Sequence, residues 1–314
     1  MAQNTPPTPQ TEDQTVGDYW SKIFAEEAAF TSKVYWLGIP EVFKRYHEKA
    51  SNAPNVMWYE HCVRHYLQGK FPVERMLDIG CGAGSLAHEL APVNAYQHYE
   101  GWDIAEGAIE GARQLAQQQG MTNVTYRVAD ANKTPLPPHY YDVVWFNMSL
   151  HHVDALENVC KQVAQSLKPD GYLFMAEYVG PNRFDFTQRQ KEVIRAAFKL
   201  IPMKFRHCFA AGGPEYMLEV GFPDPKAVAD ADYSEAIRSA DILKVLAHDF
   251  NIVTINNIGG TILQYLLNNI AGNFRTDDPD SIKVLEMLFD IEDTLIETGD
   301  IQSDFVMVVA QPKQ

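Results

Sequence analysis

The sequence predicts an α/β fold: a seven-stranded, mostly parallel sheet flanked by helices, preceded by a helical segment and interrupted late in the chain by inserted helices. Two observations carry this prediction. Short apolar runs alternate with helically patterned segments from Val73 to Glu177, at the pitch of repeated strand–helix–strand units. The runs also end in small or polar residues, and in such sheets ligands sit beyond the carboxyl ends of the strands. At 314 residues, 46% hydrophobic and 21% charged, the chain can bury a large core, which excludes a disordered, collagenous or disulfide-stapled class.

In chain order, residues 1–15 are rich in Pro, Thr and Gln and predict a disordered tail. Residues 16–70 carry apolar stripes at helical spacing: Trp20, Ile23, Phe24 and Ala28, then Val34, Leu37 and Phe43, then Met57 and Tyr66. These stripes suit either a homodimer contact or a cover over a pocket. The domain expected over 71–314 opens with strands at Val73–Ile79, Tyr96–Trp102, Val124–Val128, Tyr141–Phe146 and Tyr172–Ala176. Helices are expected between them at Ser85–Leu90, Ala105–Gln119 and Asp154–Leu167. Later helices are predicted at Asp185–Leu200, Ser239–Ala247, Thr261–Ile270 and Ser281–Ile296, and strands at Phe250–Asn256 and Asp304–Ala310. The pattern makes lid insertions of about 179–240 and 258–300. Pro202–Asp232, rich in Gly and Pro, has no clear period.

Charge limits the partners. With 26 Lys+Arg against 41 Asp+Glu the net charge is −15, which offers no general attraction to nucleic acid or to an anionic membrane. Cys62, Cys81, Cys160 and Cys208 are far apart and form no CxxC pair, so neither a zinc knuckle nor a disulfide framework is expected. The N-terminal residues lack the cationic and apolar regions of a secretory signal, and no stretch reaches the roughly 18 apolar residues of a membrane span. A cytoplasmic protein follows as the expectation.

The chemistry concentrates in MLDIGCGAGSL, Met76 to Leu86. A buried strand ending at Asp78 runs into Gly80, Gly82 and Gly84 and then a helix, giving a tight turn whose backbone can approach a ligand. The dinucleotide fingerprint GxGxxG would place its third glycine at position 85, which is Ser85; the third glycine comes one residue early. Asp103 closes the next strand, 19 positions past Gly84, where a carboxylate can accept both ribose hydroxyls. Asp103 and Asp130 could instead cap the helices that follow. Their occurrence at successive strand ends favours a ligand.

The ordered set LDIGCGAG, GWDI, ADA, YDVVWFNMSLHHV and LKPDGYLF resembles the class I, Rossmann-like S-adenosylmethionine-dependent methyltransferases of the type acting on small molecules or sugars. The resemblance is strong over Val73–Tyr178. It implies that Asp78, Gly80, Gly82 and Gly84 hold the methionine part of S-adenosylmethionine, Asp103 the ribose, and Ile104, Ala129, Asp130 and Ala131 the adenine. Asn147 would then lie near the sulfonium.

Catalytic candidates are His151 and His152, after the fourth strand where an acceptor would approach, and Glu177, which ends the fifth strand on the same edge. A histidine titrates near working pH and suits a general base. On the acceptor side stand Tyr178, Arg183 and Arg238, the arginines able to clamp an anion, with Tyr19, Trp20, Tyr216 and Phe222 able to wall an apolar pocket. Arg238 could equally pair with a neighbour such as Glu235. No metal constellation of carboxylates is evident, so a metal-independent transfer to a small-molecule hydroxyl is expected. N- or C-methylation, an RNA or protein methyltransferase, a non-catalytic cofactor binder and a dinucleotide oxidoreductase are the alternatives.

Overall fold

A computed structural model describes residues 16–18, 21 and 31–314. The tail expected over residues 1–15, the first helical stripe, Tyr19 and Trp20 lie outside the described residues. After a single helical turn at Thr31–Val34 come two longer helices: α1, Pro40–Ser51, and α2, Trp58–Tyr66. Val42, Tyr46 and Ala50 recur along one face of α1, and all three are buried. Strands and helices then alternate: β1 Val73–Ile79, α3 Ser85–Leu90, β2 Tyr96–Asp103, α4 Glu106–Gln118, β3 Val124–Val128, β4 Tyr141–Asn147, α5 Leu156–Ser166 and β5 Leu167–Tyr178. The later part contains α6 Gln188–Leu200, α7 Pro225–Ala231, α8 Ile242–Asp249, β6 Phe250–Gly259, α9 Leu263–Leu267, α10 Pro279–Glu297 and β7 Phe305–Pro312.

One seven-stranded sheet results, in the order β3-β2-β1-β4-β5-β7-β6. β1 to β5 pair in parallel, and β7 runs antiparallel to both of its neighbours. The order reverses between β1 and β4, which opens a crevice at their carboxyl ends. Two apolar layers flank the sheet because side chains alternate along each strand. In β4, Val143 and Trp145 join the layer of Trp58 and Phe174, while Val144 and Phe146 join that of Leu77 and Leu246. The leading helices belong to the first layer, through Trp36, Val42 and Trp58.

Differences from the sequence expectations fall at element ends and in the insertions. β5 begins at Leu167, because the KPDG segment pairs back through Leu167 to Tyr141 of β4 around a register shift. α7, inside the stretch without a clear period, starts from Asp224, whose carboxylate accepts from the Ala227 amide at 3.3 Å, followed by Pro225. Among the described residues, no helix is long and apolar enough to cross a membrane.

Candidate active site

The carboxyl ends of β1 to β4 surround a cavity of about 590 Å³. Its floor is the loop after β1. The amides of Gly80 and Cys81 both donate to the Trp102 carbonyl, at 2.7 and 2.9 Å, and fold the loop against β2. Gly80 (φ 76°) and Gly84 (φ 79°) occupy left-handed backbone. A Cβ on Gly80 would lie 2.2 Å from that of Ser149, and one on Gly84 would lie 2.6 Å from the Tyr126 hydroxyl. Glycine is therefore required twice, for conformation and for space.

Each strand end adds a carboxylate or a small residue. Asp78 is buried; its Oδ2 accepts from the Tyr99 hydroxyl at 2.6 Å, while Oδ1 has no hydrogen-bond donor among the described residues. Burial, with Asp103 nearby, pushes the Asp78 carboxyl up to about 7. Asp103 accepts from the Gly82 amide through Oδ2 and from the Ala105 amide through Oδ1, both at 2.9 Å. It is thus a cap for the start of α4 and a clamp on the glycine loop at once, with its residue on the cavity wall. Ile104, Ala129, Asp130 and Ala131 line the same wall. Asp130 Oδ1 accepts from the Asn132 amide at 2.9 Å; its buried Oδ2 has no hydrogen-bond donor among the described residues, and the Lys133 ammonium stands 3.4 Å away.

The end of β4 turns sharply. Asn147 and Met148 line the cavity, with Met148 at φ 57°, an uncommon conformation for a side-chain-bearing residue. Fully buried Glu177 holds the turn. Its Oε2 accepts from the amides of Ser149 (2.9 Å) and Leu150 (2.6 Å), and its Oε1 accepts from the Tyr178 amide (2.8 Å) and from His151 Nδ1. His151 Nε2 lies 3.6 Å from Glu235 Oε1. Burial opposes an imidazolium at His151, but Glu177, Glu235 and Asp232 together raise its pKa.

His152 has the other fate. It lines the cavity, and its Nδ1 lies 3.0 Å from Ser234 Oγ, which donates in turn to Asp232 Oδ1 at 2.7 Å. Burial, and then the charge of His151, hold His152 well below the ordinary imidazole range. The ring is therefore neutral, and its Nδ1 carries the proton shared with Ser234.

All of the sequence-predicted cofactor residues except Gly84 line the cavity, and Gly84 sits at its edge as the residue before α3. Of the acceptor-side candidates among the described residues, none lines the cavity. Arg238 pairs with Glu157 and Asp241, so its partner is α5 and its own turn rather than Glu235 or a ligand. Arg183 donates through Nη1 to the carbonyls of Glu235 (2.9 Å) and Asp232 (3.3 Å). Tyr178 donates to the Pro181 carbonyl at 3.0 Å, Tyr216 packs on His207, and Phe222 packs on Phe186 and Tyr265. The wall facing His152 is instead Tyr233, Ser234 and Ile237, which the sequence reading missed. The only linear signal was the polar cluster DYSE at Asp232–Glu235. Among the described residues, one ligand atom each from His151, His152 and Glu235 lies within 4.8 Å of the others.

The sheet order and the glycine-loop cavity at its switch point define the Rossmann-like methyltransferase fold. Residues 71–213 match a family model described as a methyltransferase domain. The chain is 35% identical over 117 residues to 27-O-demethylrifamycin SV methyltransferase of Amycolatopsis mediterranei, covering 36% of this chain and 43% of that protein. It is 30% identical over 142 residues to a ubiquinone biosynthesis O-methyltransferase of Leptothrix cholodnii, covering 45% and 57%. The match thus spans less than two thirds of these relatives. A crystal structure of geranyl diphosphate C-methyltransferase from Streptomyces coelicolor superposes with a TM-score of 0.56 at 14% identity, covering 98% of this chain and all of that one, and so shares the fold.

Proposed function

We propose that the protein is an S-adenosylmethionine-dependent methyltransferase whose acceptor is a hydroxyl oxygen of a small molecule. One observation carries the reading: two buried carboxylate oxygens that accept no hydrogen bond among the described residues, Asp78 Oδ1 and Asp130 Oδ2, the latter with the Lys133 ammonium 3.4 Å away, belong to residues lining the same cavity as Asp103 and the glycine loop. Buried polar atoms are costly unless partnered. A ligand with an ammonium at one end and an aromatic amine at the other supplies the donors they lack. In this reading Asp78 holds the amino group and the glycine loop the methionine part. Asp103 takes the ribose hydroxyls, Asp130 the adenine amine with Ile104, Ala129 and Ala131 against the ring, and Asn147 faces the sulfonium.

The bound cofactor supplies an already activated methyl group. The chain's task is to align the acceptor and to exclude water, and proximity accounts for much of the rate. The insertion 179–240 serves as the lid, since Tyr233, Ser234 and Ile237 close the cavity opposite the β4 turn, and 258–300 supports it through Tyr265 against Phe184 and Phe186. Of the three catalytic candidates, only His152 lines the cavity, and in this reading it faces the acceptor. Glu177 has both oxygens engaged by amides and His151, so it and His151 position the turn. The rifamycin and ubiquinone relatives support oxygen as the acceptor atom. The net charge of −15 weighs against nucleic acid.

Calorimetry with S-adenosylhomocysteine tests the reading. Wild type should bind, and Asp103→Ala should lose about 2 kcal/mol, the scale of a hydrogen bond to a charged group. Conversion of S-adenosylmethionine in the presence of hydroxylated small molecules should follow. A wild type that binds neither form of the cofactor overturns the proposal.

A further inference from the structure

We propose that His151, His152 and Glu235 form a binding site for one divalent transition-metal cation on the acceptor side of the cavity. The residues come from separate parts of the chain, the 3-10 turn Leu150–His152 after β4 and the lid segment, and they bring one ligand atom each within 4.8 Å of one another. Two imidazoles and a carboxylate are a common three-ligand set for zinc-like cations that leaves a further position open.

The surroundings of the two rings point the same way. Metal-ligating histidines nearly always donate their other ring N–H to a carboxylate or a similar acceptor, which fixes the tautomer and turns the remaining nitrogen toward the ion. Here Glu177 takes His151 Nδ1, and Ser234, backed by Asp232, takes His152 Nδ1. That outer shell is itself buried and hydrogen-bonded: Glu177 accepts from three backbone amides, and Asp232 accepts from the amide and hydroxyl of Ser234.

His151 Nε2 and Glu235 Oε1 stand 3.6 Å apart, too far for a hydrogen bond. Two ligand bonds of about 2.0–2.1 Å spanning that gap would meet at roughly 120°, an angle open to a tetrahedral or five-coordinate ion.

The binding stands on these residues alone, whereas the cation's role rests on the methyl-transfer reading. Beside His152 the ion would orient the acceptor's oxygen and lower the pKa of its hydroxyl, the proton passing to water. His152 is then a ligand rather than the proton acceptor.

The test uses untagged, chelator-treated full-length protein and Co²⁺ as the probe, followed by visible absorption. His61 and His65, whose rings stack one helical turn apart on α2, are a separate place for a cation to settle, so the experiment is done in a His65→Ala background. The expected result is uptake of one equivalent with ligand-field bands. Those bands should be lost in Glu235→Gln, and Ser234→Ala should weaken affinity about 10–100-fold, as for other outer-shell partners. Zn²⁺ should displace the Co²⁺. No uptake by the wild-type site at millimolar Co²⁺, or equal uptake by Glu235→Gln, overturns the proposal. S-adenosylhomocysteine binding measured on the same samples separates the two readings: its retention in Glu235→Gln shows an intact cavity, and its absence from wild type defeats the methyltransferase reading whatever the metal does.

Discussion

Asp78 shows how a single burial decides chemistry. Placed at the end of a central strand with one oxygen on Tyr99 and the other without a donor among the described residues, its carboxyl is pushed up to about 7. A cationic amino group in the cavity favours the ionised form, so cofactor binding must remove the proton whenever the pH lies below that value. The affinity for S-adenosylhomocysteine should therefore be full above pH 7 and fall as the pH drops through it, approaching tenfold per unit. Calorimetry at pH 6 and pH 8 checks this, and Asp78→Asn should bind more weakly with a flatter profile. An unchanged affinity across that range in wild type would show that Asp78 does not face the amino group. The neighbouring pair His151 and His152 makes a related point: both rings are buried, but carboxylates, Glu177 foremost, raise the pKa of His151 against that burial, whereas burial and the charge of His151 lower that of His152.

Among the elements, the segment Asp232–Ile237 beside His152 is held by a contact distant in sequence. Its backbone is held by Arg183, whose amide donates to the Ala236 carbonyl at 2.8 Å and whose guanidinium donates to Asp232 and Glu235. Both anchors sit in left-handed backbone, Arg183 at φ 55° and Ala236 at φ 47°, a conformation that surrounding contacts must enforce. Truncation in Arg183→Ala removes charge-assisted bonds to two carbonyls and should cost about 2 kcal/mol of stability. Its particular signature is local. The amide of Ile237, which donates to the carbonyls of His151 and Ser234, should exchange with solvent faster, while the amides of β1 and β4 keep their protection. Uniform acceleration throughout the sheet would instead mark Arg183 as a general structural residue.

At the scale of the molecule, the leading helices are bound to the sheet's far end by a buried ion pair as well as by apolar contact. Arg45 of α1 donates to Asp293 of α10 at 2.7 and 3.0 Å and approaches Glu292 at 3.5 Å. Glu292 is fully buried, and its other oxygen accepts from the amides of Ile262 and Leu263, so one carboxylate joins α1, α9 and α10. Removing only the cation leaves that carboxylate buried and uncompensated. Arg45→Ala should lose about 3–5 kcal/mol in urea unfolding, and adding Glu292→Gln should recover part of it. A loss below about 1 kcal/mol would mean that water reaches the site and screens it.

The sequence by itself determined the strand alternation, the glycine loop and the carboxylates that close successive strands. Each of these is a local signal: an apolar run, a positive-φ requirement at Gly80, a polar residue at a strand end. The same locality placed Asp78, Asp103, Asp130 and Asn147 together, because parallel strands of one sheet must present their carboxyl ends on one edge. Tertiary structure alone decided the acceptor side. Whether Arg183 and Arg238 meet a ligand or the protein depends on which carbonyls and carboxylates fold against them, and both meet the protein. Ser234 and Glu235 reach His152 and His151 across more than eighty residues of chain, through an insertion whose path no periodicity encodes. Secondary structure follows from neighbours in sequence; the partner of a buried polar side chain is fixed only when distant segments exclude water from it together.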